Sequence, residues 1–293
     1  MTTGTSIDLR HIAWNGIHID IPSVWDARVL GQRHLIFEKD FQPQLQIRWE
    51  KSARRHARAF EKGATRYSAQ MGSLVPQDRF PEALHQVRTN FDRILCYQNE
   101  TGMVTGGICQ CAACHALLLF QLLTDDVAVL TETAASLSTV LCHDQAENKG
   151  ESLWRIQDFA LAVPVPFVMQ DYTFGAGLTR LSFKSKDLSL QTCKLGPADT
   201  RLNQQSLAEI LLTLTGGSGL ELADGEDDIS CTGERNPSIL KQIFFRLRRE
   251  KPFLSAKIRH DTDNNRLLAV ILSSTRPIPL TTTEDICRKY EIV

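Results

Sequence analysis

The sequence predicts an α+β protein of two repeated domains, residues 1–147 and 148–293, each a mainly antiparallel sheet covered by helices. Three observations predict it. First, residues 17–49 are echoed by residues 159–193. Each stretch runs a short strand into a proline, sets a bulky apolar residue just beyond it, and continues through a glycine to a strand ending in phenylalanine and one more alternating strand. Second, apolar residues alternate with period two in short runs joined by short loops, which favours antiparallel neighbours. Third, a uniform spacing of 150 lays Ile108 on Ile258, His115 on Asn265, Leu117 on Leu267 and Thr131 on Thr281, as a repeat of domain length would.

Composition narrows the class. The 293 residues are 42% hydrophobic and 23% charged, an ordinary folding composition. A formal net charge of -1 gives no general attraction for nucleic acid or an anionic membrane, although a local basic patch would escape that sum. The N-terminal residues lack a charged start followed by an apolar run, and no window approaches the length of apolar sequence that spans a bilayer. A cytoplasmic location is therefore the expectation, with the eight cysteines as reduced thiols.

Along the first half, Ile17, Ile19 and Ile21 alternate with polar residues up to Pro22, which ends the strand, and Trp25 sits beyond that end as an apolar plug. Gly31 allows a turn before His34; Leu45, Ile47 and Trp49 form another period-two set. Residues 50–67 change to a helical pattern, with Ala53, Ala57 and Phe60 as a narrow stripe and Arg54, Arg55, His56 and Arg58 as a basic, solvated face. Residues 70–80 read as a connector. A strand follows at 91–97, and Gly102, Gly106 and Gly107 loosen the chain before another strand starts at Ile108. The run Ala116–Leu123 fits a strongly buried strand, and residues 131–141 a closing helix with Thr131 or Thr133 at its cap.

Residues 143–151 are polar and mark the boundary, after which the pattern restarts. Val163 leads into Pro164, Gly177 answers Gly31, Phe183 answers Phe37, and Leu188 and Leu190 answer Leu45 and Ile47. A single helix is expected over 199–214, ended by Gly216 and Gly217; residues 239–251, behind Pro237, read as a helix, with two short strands as the alternative. Residues 253–259 and 267–272 form the last hairpin, and 283–290 the last helix.

The chemistry-bearing stretch is CQCAACH, residues 109–115. Cys111, Cys114 and His115 satisfy the CxxCH spacing of covalent haem attachment, but a hairpin tip gives a haem no apolar wall. Zinc suits the donors better: Cys109, Cys111, Cys114 and His115 are soft ligands, with Cys96 or Cys142 to complete a tetrahedron. A redox pair at Cys111 and Cys114 would need its thiolate stabilised, which a strand-to-turn placement, unlike a helix N-terminus, is not expected to do. Buried structural thiols are the plain alternative. The corresponding turn of the second half, with Asp261 opposite Cys111 and Asn264 opposite Cys114, is an ordinary polar one.

Other signals are weaker. Gly175-Ala176-Gly177 lacks the strand and helix of a dinucleotide site, and residues 215–219 follow a helix where a phosphate loop would precede one. Asp125-Asp126 and Asp227-Asp228 read as turn residues, and His18 and His34 as hydrogen-bonded histidines of β strands. No catalytic and no cofactor-binding residue is assigned.

The repeated opening resembles that of Mog1/PsbP-like domains, where a strand runs into a proline and tryptophan before further antiparallel strands. The matching residues are Ile21, Pro22, Trp25, Gly31 and Phe37, then Val163, Pro164, Phe167, Gly177 and Phe183. The resemblance covers the first third of each half. It implies accessory proteins of membrane complexes, or a small-GTPase-binding protein, more than enzymes; Pro166 and the cysteine hairpin depart from the pattern, so no binding residue carries over. The expected function is that of a non-enzymatic binding, accessory or assembly protein whose partner is another protein. The alternative is a thiol- or metal-dependent protein using residues 96–114, with zinc as its metal.

Overall fold

The structure is a computed structural model that describes residues 8–50, 57–124, 126–142, 150–217, 219–224 and 229–293. The basic run Arg54, Arg55 and His56, most of the boundary segment, Asp125 and Asp227-Asp228 lie outside the described residues. The chain divides into two compact units, one of residues 1–149 with 153–158 and one of residues 150–152 with 159–293. Helices and antiparallel sheets make up both, and no described helix is long and apolar enough to cross a membrane.

The first unit opens with the hairpin β1 (Leu9–Trp14) and β2 (Ile17–Pro22), closed by Asn15 and Gly16 at φ 48° and 83°. Two successive positive φ values match the right-handed twist of the strands, and asparagine-glycine supplies them with least strain. Then come β3 (Trp25–Gly31), β4 (His34–Lys39), β5 (Gln42–Glu50), α1 (Ala57–Met71), the short β6 (Ser73–Leu74), β7 (Phe91–Gln98), β8 (Val104–Cys111), β9 (Leu117–Leu122) and α2 (Val127–Ser138). Three 3₁₀ turns fill the expected connector between Gln77 and Thr89. The strands order as β3-β4-β5-β9-β8-β7-β6, with all neighbours antiparallel.

Burial on both sheet faces follows from the pattern of β9. Leu118 and Phe120 pair with Trp49 and Ile47 on one face, while Leu117 and Leu119 join Phe60, Tyr97 and Ile108 under α1 on the other. Trp25 lies past the end of β2 at Pro22 and is fully buried, as an apolar plug there requires, and it is also the first residue of β3. Gly106 and Gly107 differ from expectation: they lie inside β8, where a Cβ on Gly107 would meet the Phe120 ring at 2.6 Å. α2 starts four residues before Thr131, and Thr133 caps nothing; its hydroxyl donates to the Val129 carbonyl one turn back.

The second unit contains β10 (Glu151–Ile156) in part, then β11 (Phe159–Pro164), β12 (Val168–Gly175), β13 (Leu178–Lys184), β14 (Leu188–Leu195), α3 (Ala198–Leu202), α4 (Leu207–Thr215), β15 (Glu221–Asp224), β16 (Ser230–Arg235), α5 (Ile239–Leu247), β17 (Phe253–Asp261), β18 (Arg266–Ser274), α6 (Leu280–Arg288) and β19 (Tyr290–Ile292). Its sheet order is β12-β13-β14-β18-β17-β16-β15. Adding nine to each strand number of the first unit's sheet reproduces this order. The helix expected over 199–214 is two helices because Ser206 begins a new one: its hydroxyl accepts from the Glu209 N–H while the Glu209 carboxylate accepts from the Ser206 N–H. Gly216 then ends α4 in the left-handed conformation at φ 75°.

The two sheets differ in several connections. β6 and β7 are separated by residues 75–90 with the three 3₁₀ turns, but β15 and β16 only by residues 225–229. β7 and β8 are joined by residues 99–103, whereas β16 and β17 are separated by residues 236–252, which carry α5. The β8–β9 turn carries cysteines where the β17–β18 turn carries polar residues.

Candidate metal centre

Cys111 ends β8, and the backbone turns tightly behind it. The His115 N–H donates to the Cys111 carbonyl at 3.1 Å, the Cys111 N–H to the Ala116 carbonyl at 3.0 Å, and His115 takes φ 58°. This turn returns Cys114 toward the sheet. Cys142 arrives from elsewhere: α2 ends at Ser138, and Leu141 bridges His18 of β2 through N–H···O bonds of 2.8 and 2.9 Å. Thr139 adds a hydroxyl that accepts from the Asp20 N–H at 2.8 Å, and Asn90 donates to the Ser138 carbonyl at 2.5 Å. The segment before Cys142 is thus held along its length.

The result is a group of three sulfurs, Cys111, Cys114 and Cys142, all within 4.8 Å of one another. Cys114 Sγ lies 3.2 Å from Cys142 Sγ, and all eight cysteines are thiols. Zinc–sulfur bonds of about 2.3 Å in a tetrahedron place sulfurs about 3.8 Å apart, so the group has the dimensions of a metal site after small adjustments. A disulfide would need about 2.05 Å.

The protons on these thiols are unequally held. At Cys111 burial raises the pKa, but the Cys114 N–H, the Cys142 thiol, the Ala113 N–H and the Cys114 thiol all stabilise the thiolate, and the net shift is downward. Strand-to-turn placement therefore does supply a field, through backbone N–H groups aimed at the sulfur in place of a helix dipole. Cys142 goes strongly the other way, first through burial and then because it gives its hydrogen bonds to Cys111 and Cys114. A soft cation reverses that penalty by replacing the proton as the partner of the thiolate. The second unit repeats the backbone pattern with oxygen: Asp261 Oδ1 accepts from the Asn264 N–H at 3.1 Å, the same three-residue reach as from Cys111 to Cys114.

Of the residues the sequence nominated, Cys111 and Cys114 converge, and of the two completing candidates it is Cys142 that joins them. Cys109 and His115 are not among the donors that lie mutually within 4.8 Å. Cys109 is fully buried in β8, and its pKa is raised well above the ordinary value by burial and by Cys96. Gly175–Gly177 proves to be part of the β12–β13 turn, and Gly216 a helix cap. His34 has its pKa lowered by burial and by Arg48. The sequence reading missed a chain of polar groups on the first hairpin, where His11 Nδ1 lies 2.6 Å from Asp20 and His11 Nε2 3.1 Å from His18 Nδ1. Asn15-Gly16 was its signal: a two-residue turn there places His11 opposite Asp20. The chain matches no protein-family model and no curated protein.

Proposed function

We propose that the chain is a metal-holding accessory or assembly protein, a tandem duplication of one Mog1/PsbP-like domain in which the first copy binds zinc through Cys111, Cys114 and Cys142. The observation that carries this reading is the convergence of three sulfurs from two separate segments to within 4.8 Å. Supporting it, the matching strand orders of the two units are what duplication leaves, and Cys111 and Cys114 lie at a hairpin turn whose counterpart in the second unit carries Asp261 and Asn264 instead. Three thiolates leave a fourth position on a tetrahedral ion for a water or a further ligand, with His115, the residue after Cys114, the sequence's own candidate. The metal ties the β8–β9 turn to the end of the α2 segment, so its role is structural, and binding of a protein partner is the work of the folded unit.

Elemental analysis of the full chain purified under reducing conditions tests this. About one zinc per chain is expected, lost in Cys111→Ser and in Cys142→Ser and kept in Cys109→Ser, as a site of these three thiolates requires. Cobalt exchanged into the site should give the intense thiolate-to-metal absorption of tetrahedral sulfur coordination. A metal-free chain that instead forms a Cys114–Cys142 disulfide under mild oxidation would shift the assignment to thiol chemistry, which the 3.2 Å approach of those sulfurs favours.

A further inference from the structure

α5 presents an apolar face to solvent. Ile239, Leu240 and Leu247 are 75%, 81% and 78% exposed, and Ile243 and Phe244 are 51% and 53% exposed. At about 100° per residue these five side chains fall within an arc of about 140°, so they form one continuous stripe. Single exposed apolar residues are ordinary, but a contiguous set on one helix marks a surface that is covered in use.

The rest of the excursion explains how the helix is held out. Arg235, buried at the end of β16, donates to the carbonyls of Pro252 at 3.0 Å and Lys251 at 2.8 Å, and its guanidinium lies 4.5 Å from the Phe245 ring centroid. Gln242 donates to the Pro237 carbonyl at 2.9 Å. The base of the loop is clamped through Arg235, and Phe245 takes the inward side, which leaves the outward side apolar.

Charge identifies the occupant. Residues 236–252 contain Lys241, Arg246, Arg248, Arg249 and Lys251 against the single acid Glu250, a net of +4 in a chain whose total is -1, and of these Lys251 is turned back to donate to the Ser189 hydroxyl at 2.6 Å, which leaves the helix and its end a net of +3. Arg248 lies over the exposed Phe244 ring at 4.3 Å, at the margin of the stripe, and Lys241 and Arg249 are exposed. A second copy docking face to face would set two such cationic rims against each other. An anionic lipid surface meets both features at once, taking the apolar side chains at the acyl boundary and the cations among its headgroups.

We propose that α5 is an interfacial anchor that docks the second unit on anionic membranes, its apolar stripe lying in the interface and its basic rim on the headgroups. The helix lies on the membrane and does not span it. This surface is independent of the thiol group of the first unit.

Flotation of the full chain with phosphatidylcholine vesicles, with and without phosphatidylserine, tests the proposal. Binding to the serine-lipid vesicles is expected at low salt, weakening as salt rises, with little binding to phosphatidylcholine alone. Leu240→Asp, and separately Lys241→Glu with Arg249→Glu, should each weaken that binding about tenfold or more, while urea unfolding stays unchanged because the replaced side chains are exposed. Absence of binding to either vesicle at low salt overturns the proposal, as does undiminished binding by the variants. A concentration-dependent dimer that Leu240→Asp dissolves, without vesicle binding, assigns the face to a second copy and overturns it too. Should vesicles fail while the chain retains a soluble acidic protein that Leu240→Asp releases, a protein groove replaces the membrane.

Discussion

Cys96 shows how a thiol outside the converging group still makes the first unit sensitive to pH. It is 2% exposed, and burial pushes its pKa from an ordinary 9.0 up to about 12, against a weaker downward pull from Arg88. Between those values the folded state holds a proton that the unfolded chain has released, so stability is intact below pH 9.0 and falls as pH climbs toward 12. The fall should approach about 1.4 kcal/mol per pH unit for this one group. Urea unfolding between about pH 8.5 and 10.5 reads it, and Cys96→Val should make the wild-type slope shallower by this one group's share, the raised Cys109 and Cys142 keeping theirs. Equal slopes would mean that water reaches the thiol. At this scale the sequence carried residue types well and their meeting poorly. Cys111 and Cys114 are adjacent on one turn and so were legible, while Cys142 joins them only because Leu141 bridges His18, a pairing that no local pattern encodes.

Gly107 and Phe120 make the same point for elements. They are directly paired across β8 and β9, and a Cβ on Gly107 would meet Phe120 Cζ at 2.6 Å and the Leu95 carbonyl at 2.7 Å. In the second unit the corresponding pair is Lys257 and Val270, a larger residue facing a smaller one. Gly107→Ala should therefore cost about 1–3 kcal/mol by overpacking, and less in a Phe120→Val background, where the ring is gone. A double-mutant cycle in urea measures the difference; a penalty that Phe120→Val leaves unchanged would place the clash at the Leu95 carbonyl. Element types were largely legible where period-two alternation survives, as in β13, and where a short continuous apolar run marks a strand buried on both faces, as in β18. The misreadings share a physical cause: two glycines suggested a loop but serve close packing, and Ser206 starts a second helix through a capping box that the apolar stripe of 199–214 concealed.

For the whole molecule, the telling segment is residues 153–158, which belong to the first unit although they follow the polar stretch 143–151. β10 pairs Arg155 with Ala13 of β1, and the Trp154 ring meets Trp14 edge-on at 5.2 Å. Trp154 and Ile156 are both buried. A composition shift marks where the chain is polar, whereas membership of a compact unit is decided by where apolar surface is covered, and the two differ here by a strand. A fragment of residues 1–149 leaves the β1 edge and the Trp14 ring without these partners; a fragment of 1–158 keeps them. Two large side chains at about 1.5–3 kcal/mol each set the expected gap at about 3–6 kcal/mol in favour of the longer fragment. Urea unfolding of both fragments, followed by tryptophan fluorescence, measures it. Equal midpoints would show that the β1–β2 hairpin is stable without Trp154 and Ile156. A gap of the expected size means that a repeat boundary drawn from sequence alone cuts through the first unit's core.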